Sequence, residues 1–460
     1  MNPFQAEVLA RLPLAEAVWT LLRHVADDDF LAELFDRHRG TGSEQKVTFS
    51  VLVRLVADAL TVYAGSGRKS FHQAREAGWL QATDEAVYGK LRRVRPELSQ
   101  ALLRDTAQRL RQVLPPGSDQ SVPPALRGYR VLVVDGKKLK SLPKLLKPLR
   151  PVRGKLFGGK VLVGLLLNEG LVVAMHATPE GEANDAPLLP GLLEQCAAHC
   201  SGRLLYVADR QFCDLKIPHR IAAAGQNFVI RFTRKMKFYP EQEQFFQDAQ
   251  GRPVRDALGW LGRPRDPRRR YVRQITLTRD GDEDVTLITN LLDGAAAPAE
   301  QVLELYLARW SIERVFQQVT EVFQLQAFLG ASPQAAIFQF ALCTLLYNVM
   351  QVLRATIAHL EQRPAESLSA EMLFRDVCDQ LSAATLLLSP EDVTQQFRPP
   401  RSAQQVQSHL RTLLQGQWSP LWIKCPAKPK RPPPVQQPVR GGHSSAWKIL
   451  VAAKTKPPPR

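Results

Sequence analysis

The chain has 460 residues, 45% of them apolar, and a formal net charge of +17. That length can bury two or three cores, and the apolar share excludes a largely disordered polymer. Six cysteines in such a length exclude a disulfide framework, so a reducing, cytoplasmic setting is expected.

Residues 1–125 are helical in pattern, with few β-branched runs and no alternation. Within them Ala82–Val94 reads as a capped helix: Thr83 is the N-cap, Asp84 and Glu85 follow, and Lys90, Arg92 and Arg93 gather at the end. After the turn at Gly78, a short helix carrying Tyr88, Lys90, Arg92 and Arg93 fits a recognition helix as well as it fits the solvated face of a bundle. Pro115-Pro116-Gly117-Ser118 and Pro123-Pro124 mark a linker.

Beyond it the pattern changes to β-β-β-α-β-α-β. Strands are predicted at Tyr129–Val134, Val161–Leu167, Leu171–His176, Leu204–Ala208 and Phe228–Phe232, with helices at Leu188–His199 and Ile217–Ala224. The first of these strands ends at Asp135 and the fourth at Asp209. An acid at the end of a strand sits at a sheet edge, where a cation can be reached. Between Gly136 and Asn168 stand nine Lys or Arg, Lys137 and Lys138 among them, and no acid. Cys196, His199, Cys200 and Cys213 have the residue types of a zinc site, but cysteines four apart on an apolar helix read first as small core residues.

Residues 233–297 are polar and β-rich, with strands expected at Tyr271–Thr278 and Val285–Thr289. A helical region follows from Ala299 to about Leu388. Its most apolar stretch, Ala335–Leu353, is interrupted by Gln339, Asn348 and Gln351, so it reads as a buried helix and not as a membrane span. From Val393 onward there are twelve Lys or Arg and no acid. Residues 426–460, with Pro432-Pro433-Pro434 and Pro457-Pro458-Pro459, are expected to be a mobile or polyproline-like basic tail. Basic clusters without compensating acids favour a polyanion through counterion release, so nucleic acid is the expected partner and a membrane is not.

The third acid lies on a helix. At about 100° per residue, Tyr306, Arg309, Glu313, Gln317 and Thr320 share one stripe, opposite an apolar face that includes Ile312, Val315, Phe316 and Val319. Trp310 lies beside that stripe, where it is expected to be partly buried or to stack on a base. Tyr and Arg within two turns of Glu could reach a phosphate that a Glu-bound metal also holds. Two strand-borne acids and one helix-borne acid can converge on a pair of Mg²⁺ ions, the arrangement of in-line phosphoryl displacement.

With these residues in view, the sequence resembles the DDE transposases of bacterial insertion sequences, in the group with a Tyr-x2-Arg-x3-Glu-x6-Lys signature. Asp135-Gly136 after its apolar strand is similar to the first acidic motif of that family. Asp209-Arg210-Gln211-Phe212 is similar to the second, and Tyr306, Arg309 and Glu313 fit the third at its spacing. Thr289-Asn290-Leu291-Leu292-Asp293 is also typical, and the likeness spans about residues 125–350. One departure stands out: Thr320 takes the place of the closing Lys.

The resemblance implies an α/β fold, an RNase H-like mixed-sheet catalytic core at residues 126–350 with a β-rich insertion at about 233–297. A helical DNA-binding domain is expected at 1–125, a helical C-terminal region at 351–425 and the basic Pro-rich tail at 426–460. It further implies a transposase in which Asp135, Asp209 and Glu313 hold Mg²⁺ (or Mn²⁺), and Tyr306, Arg309, Arg210, Trp310, Lys137 and Lys138 touch DNA. Terminal inverted repeats and target DNA are its expected partners, bound by a homodimer in a nucleoid-associated, cytoplasmic setting. Two rivals remain: a metal-dependent nuclease that does not join strands, and an inactive, transposase-derived DNA-binding protein.

Overall fold

The computed structural model describes residues 3–40, 42, 44–116, 122–279, 281, 283–323, 325, 327–388, 402–424 and 442–455. Helices come first: α1 (Pro3–Ala10), α2 (Pro13–Val25), α3 (Asp28–His38), α4 (Phe49–Thr61), α5 (Gly67–Glu76), α6 (Asp84–Arg93) and α7 (Pro96–Arg111). Then follow β1 (Arg130–Lys140), β2 (Lys155–Leu166), β3 (Leu171–Thr178), α8 (Leu189–His199), β4 (Leu204–Ala208), α9 (Lys216–Ala223) and β5 (Asn227–Arg231). The next strands are β6 (Phe238–Gln247), β7 (Pro253–Leu261), β8 (Arg270–Leu277) and β9 (Val285–Thr289). The chain continues through α10 (Ala299–Ala308), α11 (Trp310–Gln317), α12 (Pro333–Leu360), α13 (Ala370–Leu387), α14 (Ala403–Leu414), β10 (His443–Ser445) and α15 (Ala446–Thr455).

All ten strands join one mixed sheet, ordered β10-β2-β1-β4-β5-β9-β8-β7-β6, with β3 also beside β2. β1, β4 and β5 run parallel, and β2 lies antiparallel to both β1 and β3. β1 and β4 are buried along their apolar runs, from Val131 to Val134 and from Leu204 to Ala208. Continuous apolar strands of this kind require cover on both faces of a sheet.

That cover includes the N-terminal helices. α7 packs on both β3 and α12, and α2 packs against α13 and α14, so residues before 125 share one continuous core with the sheet. The center of this core is α12, buried on every side, and it is long and apolar enough to cross a membrane by composition alone. Its polar residues explain why it belongs inside a protein. β3 carries one extra residue opposite the Gly164–Leu165 step of β2. At that bulge the Asn348 side chain accepts from the Val172 N–H at 2.9 Å and donates to the Val172 carbonyl at 2.8 Å. Gln339 likewise bonds Leu329 N and Ala327 O. Each amide satisfies backbone groups that would cost about 1–3 kcal/mol if buried unpaired.

The β-rich insertion is fixed by a buried ion pair. Arg273 on β8 meets Asp256 on β7 at 2.6 Å and donates to the Ala297 carbonyl, just before α10. Asn290 ties the same region to β5 by accepting from Phe228 N and donating to Gln226 O.

Several expectations need correction. β1 does not stop at Asp135; it continues to Lys140 along β2, while its parallel partner β4 ends opposite Val134. α6 is capped by Thr83 as expected, but Lys90 turns inward, over the Phe35 ring and 3.6 Å from Glu44, while Tyr88, Arg92 and Arg93 face outward. Within the tail, residues 425–441 and 456–460 lie outside the described residues. The part between them is not a mobile coil: His443–Ser445 adds in parallel to Lys155–Phe157 of β2, His443 stacks on Phe157, and Lys448 meets Glu182 at 2.6 Å. Of the predicted linker, residues 117–121 also fall outside the description.

Candidate functional site

Asp135 sits where the sheet divides. It follows the last residue of β1 that pairs with β4, and Asp209 follows the last residue of β4, so the two acids stand side by side where the β1–β4 ladder ends, Asp135 still within β1. The Asp209 carboxylate accepts from Gln211 N at 2.7 Å and caps the short 3-10 turn Arg210–Phe212. The Asp135 carboxylate accepts from Gly136 N at 2.8 Å. Gly136 is required there, because a Cβ would stand 2.2 Å from the Asp185 carboxylate packed against it.

Glu313 arrives from the helical side, on α11. The expected single helix through Tyr306 and Glu313 is broken at Arg309, where Arg309 N bonds Tyr306 O and Ile312 N bonds Arg309 O. These i to i+3 bonds tighten the turn at Arg309, whose backbone stays helical. Its side chain is 8% exposed, with Glu313 at 3.2 Å and Asp135 at 3.7 Å. The guanidinium also lies over the rings of Tyr306 and Trp310. Beyond α11 the chain forms a π-helical turn, Gln318–Val322.

Electrostatics show how closely these groups interact. Burial pushes the Asp135 carboxyl up to about 6; the Gly136 hydrogen bond and Arg309 pull it down, while Asp209 and Glu313 push it further up. Burial disfavours the charged form of Arg309, yet Tyr306, Asp135 and Glu313 outweigh it and hold its pKa above the ordinary value. The structure therefore brings Asp135, Asp209, Glu313, Arg309 and Tyr306 into one electrostatic cluster.

Among the described residues, no three His, Cys, Asp or Glu side chains are close enough together to hold a metal ion. Arg309 is the cation that meets the carboxylates, at Asp135 and Glu313. The donor chemistry nonetheless suits a hard divalent cation, because carboxylate oxygens are the ligands Mg²⁺ and Mn²⁺ take. The Arg309 Nε is buried without a hydrogen-bond partner, so the cluster is not fully satisfied as it stands.

The remaining predicted residues fall at varied distances from it. Successive strand residues point to opposite faces, and Lys137 and Lys138 separate accordingly. Lys137 donates to the Phe316 carbonyl at 3.4 Å, on the α11 side, and burial lowers its pKa. Lys138 turns to the Phe157 ring. The Thr320 hydroxyl donates to that same Phe316 carbonyl, so a lysine from β1 reaches the turn where Thr320 stands. Arg210 is exposed, 3.5 Å from Glu283. Trp310 is 53% exposed and not part of the core. Cys196, Cys200 and Cys213 are buried free thiols.

Sequence reasoning passed over one group beside the site. The loop after β5 carries Arg234, Lys235 and Lys237, and the β7–β8 turn carries five arginines between residues 262 and 270. The density of Arg in that turn was visible; its seat against Leu215, in the segment after Asp209, was not, since it depends on how the insertion folds back.

Comparison with known proteins bears on the same stretch. Residues 126–349 match the family model described as "Transposase DDE domain". A protein of Sinorhizobium fredii (strain NBRC 101917 / NGR234) described as "Putative transposase y4zB" is 25% identical over 151 residues, 32% of this chain and 42% of that protein. The chain thus spans less than half the length of this relative. Among solved structures, the piggyBac transposase synaptic complex with hairpin DNA has 11% identity across 88% of this chain and 85% of its own. Its TM-score is 0.39, too low for the likeness to carry weight. Residues 126–349, the stretch holding Asp135, Asp209 and Glu313, are thus similar to a transposase DDE domain.

Proposed function

We propose that the protein is a transposase that binds the ends of an insertion sequence, cuts DNA strands there and joins them to target DNA. The observation that carries this reading is the electrostatic convergence of Asp135, Asp209 and Glu313 from β1, β4 and α11, inside the stretch that matches the transposase family. The strand order β3-β2-β1-β4-β5, with β1, β4 and β5 parallel, supports an RNase H-like core.

In this reading Asp135, Asp209 and Glu313 would hold two Mg²⁺ ions once drawn together around them, and Mn²⁺ could substitute. Such ions lower the pKa of bound water and neutralise charge on a transferring phosphoryl group. The protein's own residues divide the remaining work. Arg309 moves from the carboxylates to a phosphate oxygen of the bound strand, where its planar fork gives two parallel hydrogen bonds. Tyr306, 4% exposed and beside that guanidinium, acts as a positioning residue for Arg309. Lys137 supplies, from β1, the cation that Thr320 does not, at the Phe316 carbonyl both side chains bond. Trp310 offers an exposed ring for base stacking, Arg210 contacts a phosphate nearby, and Lys138, on the other face of β1, meets DNA only away from the carboxylates. Outward-facing Arg92 and Arg93 of α6 contribute to end recognition, and two copies act together on paired ends.

The test uses purified protein with duplexes carrying the DNA that flanks its coding sequence, plus a plasmid target, with and without Mg²⁺. Metal-dependent cutting and joined products are expected. Asp135→Ala, Asp209→Ala and Glu313→Ala should each abolish cutting while binding persists, because a lost metal ligand removes few phosphate contacts. Variants that cut as well as the parent would remove the assignment. Cutting without joined products would make the protein a nuclease, and binding without cutting an inactive DNA-binding protein.

A further inference from the structure

The loop after β5 and the β7–β8 turn form a second basic surface that the carboxylate cluster does not use. β4 and β5 are parallel neighbours, paired as far as Ala208 and Ile230. Asp209 and residues 233–237 therefore leave the sheet at the same end. The β7–β8 turn folds back to this point: Gly262 N donates to the Lys237 carbonyl at 2.9 Å. Gly262 has φ +97°, and a Cβ there would lie 2.9 Å from Leu215, six residues beyond Asp209. The turn is thus seated against the segment that carries the second acid.

Its internal structure is rigid. Arg268 forks onto Asp266 through two 3.0 Å hydrogen bonds, and Arg269 N bonds Asp266 O at 2.9 Å. The Arg269 guanidinium lies 4.4 Å from the Trp260 ring and 6.0 Å from Tyr239. The Nε atoms of Arg269 and Arg270 are buried without hydrogen-bond partners. Arg263 and Arg265 project at the tip, exposed, and Arg234, Lys235 and Lys237 are exposed beside them. Among the described residues none of these five is in an ion pair.

We propose that residues 233–237 and 262–270 form a sequence-independent clamp for the phosphate backbone of a DNA duplex running past Asp209. Uncompensated, exposed cations on a braced turn fit a regular polyanion: they gain counterion release and lose little conformational entropy on binding. The Trp260 ring is occupied by the Arg269 guanidinium, so the turn offers cations more than open rings, which favours a duplex backbone over an unstacked strand. The inference extends the transposase reading by giving DNA a course away from the carboxylates, and its test separates the two.

Full-length protein is titrated with a short duplex of arbitrary sequence and with the flanking duplex, over a range of salt. Arg263→Ala/Arg265→Ala should flatten the log–log salt dependence by roughly 1.8, at about 0.9 per phosphate contact. Both duplexes should lose affinity equally. Arg263→Lys/Arg265→Lys should keep the slope, and Arg37→Ala/Arg375→Ala, on distant helices, should not change it. An unchanged slope in the first pair, or tighter binding of an RNA duplex than of DNA, would overturn the clamp. If metal-dependent cutting persists while the slope stays unchanged, the clamp fails and the catalytic reading stands. If the slope falls in a protein that never cuts, the clamp stands and the catalytic reading fails.

Discussion

Replacing Asp135 with Asn should stabilise the metal-free protein, by an amount that depends on pH. The folded carboxyl is pushed from 3.8 up to about 6, first by burial and then by Asp209 and Glu313, against the pull of Gly136 and Arg309. A rise of about two units at about 1.4 kcal/mol each makes ionised Asp135 cost about 3 kcal/mol in the folded state. The sign follows from proton binding. The folded protein holds this proton more tightly than the unfolded chain, so the contribution is fully present below about pH 3.8 and is lost as pH rises through about 6. Asn mimics the neutral acid. In EDTA at pH 7.5, urea unfolding followed by tryptophan fluorescence should show Asp135→Asn more stable by about 3 kcal/mol, with the gap closing at pH 3.5. Added Mg²⁺ should stabilise the parent and not the variant. A variant less stable than the parent at pH 7.5 without divalent ions, or an offset independent of pH, would show that burial does not raise the Asp135 carboxyl as described.

Arg309→Ala should slow single-turnover cutting far more than Arg314→Ala, since Arg309 is buried against two carboxylates and Arg314 is exposed on the same helix; equal small effects would reduce Arg309 to a packing role. Arg273→Leu strands Asp256 without its buried partner and should cost about 3–5 kcal/mol in denaturant unfolding, much of it recovered when Asp256→Leu is added. Arg92→Ala/Arg93→Ala should weaken discrimination between flanking and arbitrary duplexes in competition binding, with cutting of prebound ends retained. A fragment beginning near Val131 cannot ask the same question, because removing α7 bares the face of β3 that it covers.

The parts of this fold that could be read from sequence are those where local pattern and burial agree. Leu204–Ala208 and Val285–Thr289 are apolar runs bounded by polar residues, and both are strands at those limits. Asp135 was legible as an acid following a buried run, but not as a residue within a strand: Gly136–Lys140 reads polar, and only pairing with β2 reveals it. β6 gave no alternation because it is an edge strand exposed along nearly its whole length. The burial of Arg309 was hidden for another reason: a helical wheel places it on one stripe with Glu313, but only the fold sets β1 and Asp135 against that stripe. His443–Thr455 escaped notice because its neighbours are rich in Pro, Lys and Arg, and its pairing with β2 is set by residues nearly three hundred positions away.

That last pairing bears on how the protein can be made. β10 lies along the start of β2, and α2 packs against α13 and α14. The sheet that presents Asp135 therefore stays open until about 440 residues have left the ribosome. Contacts so distant in sequence form slowly, and the earlier segments wait with apolar surface uncovered. A translation product that stops short of His443 would carry all three acids yet lack the strand beside Lys155–Phe157 and the Lys448 bond to Glu182. Such shortened copies would hold the acids without the complete frame around them, so the intact chain would be favoured as the working unit.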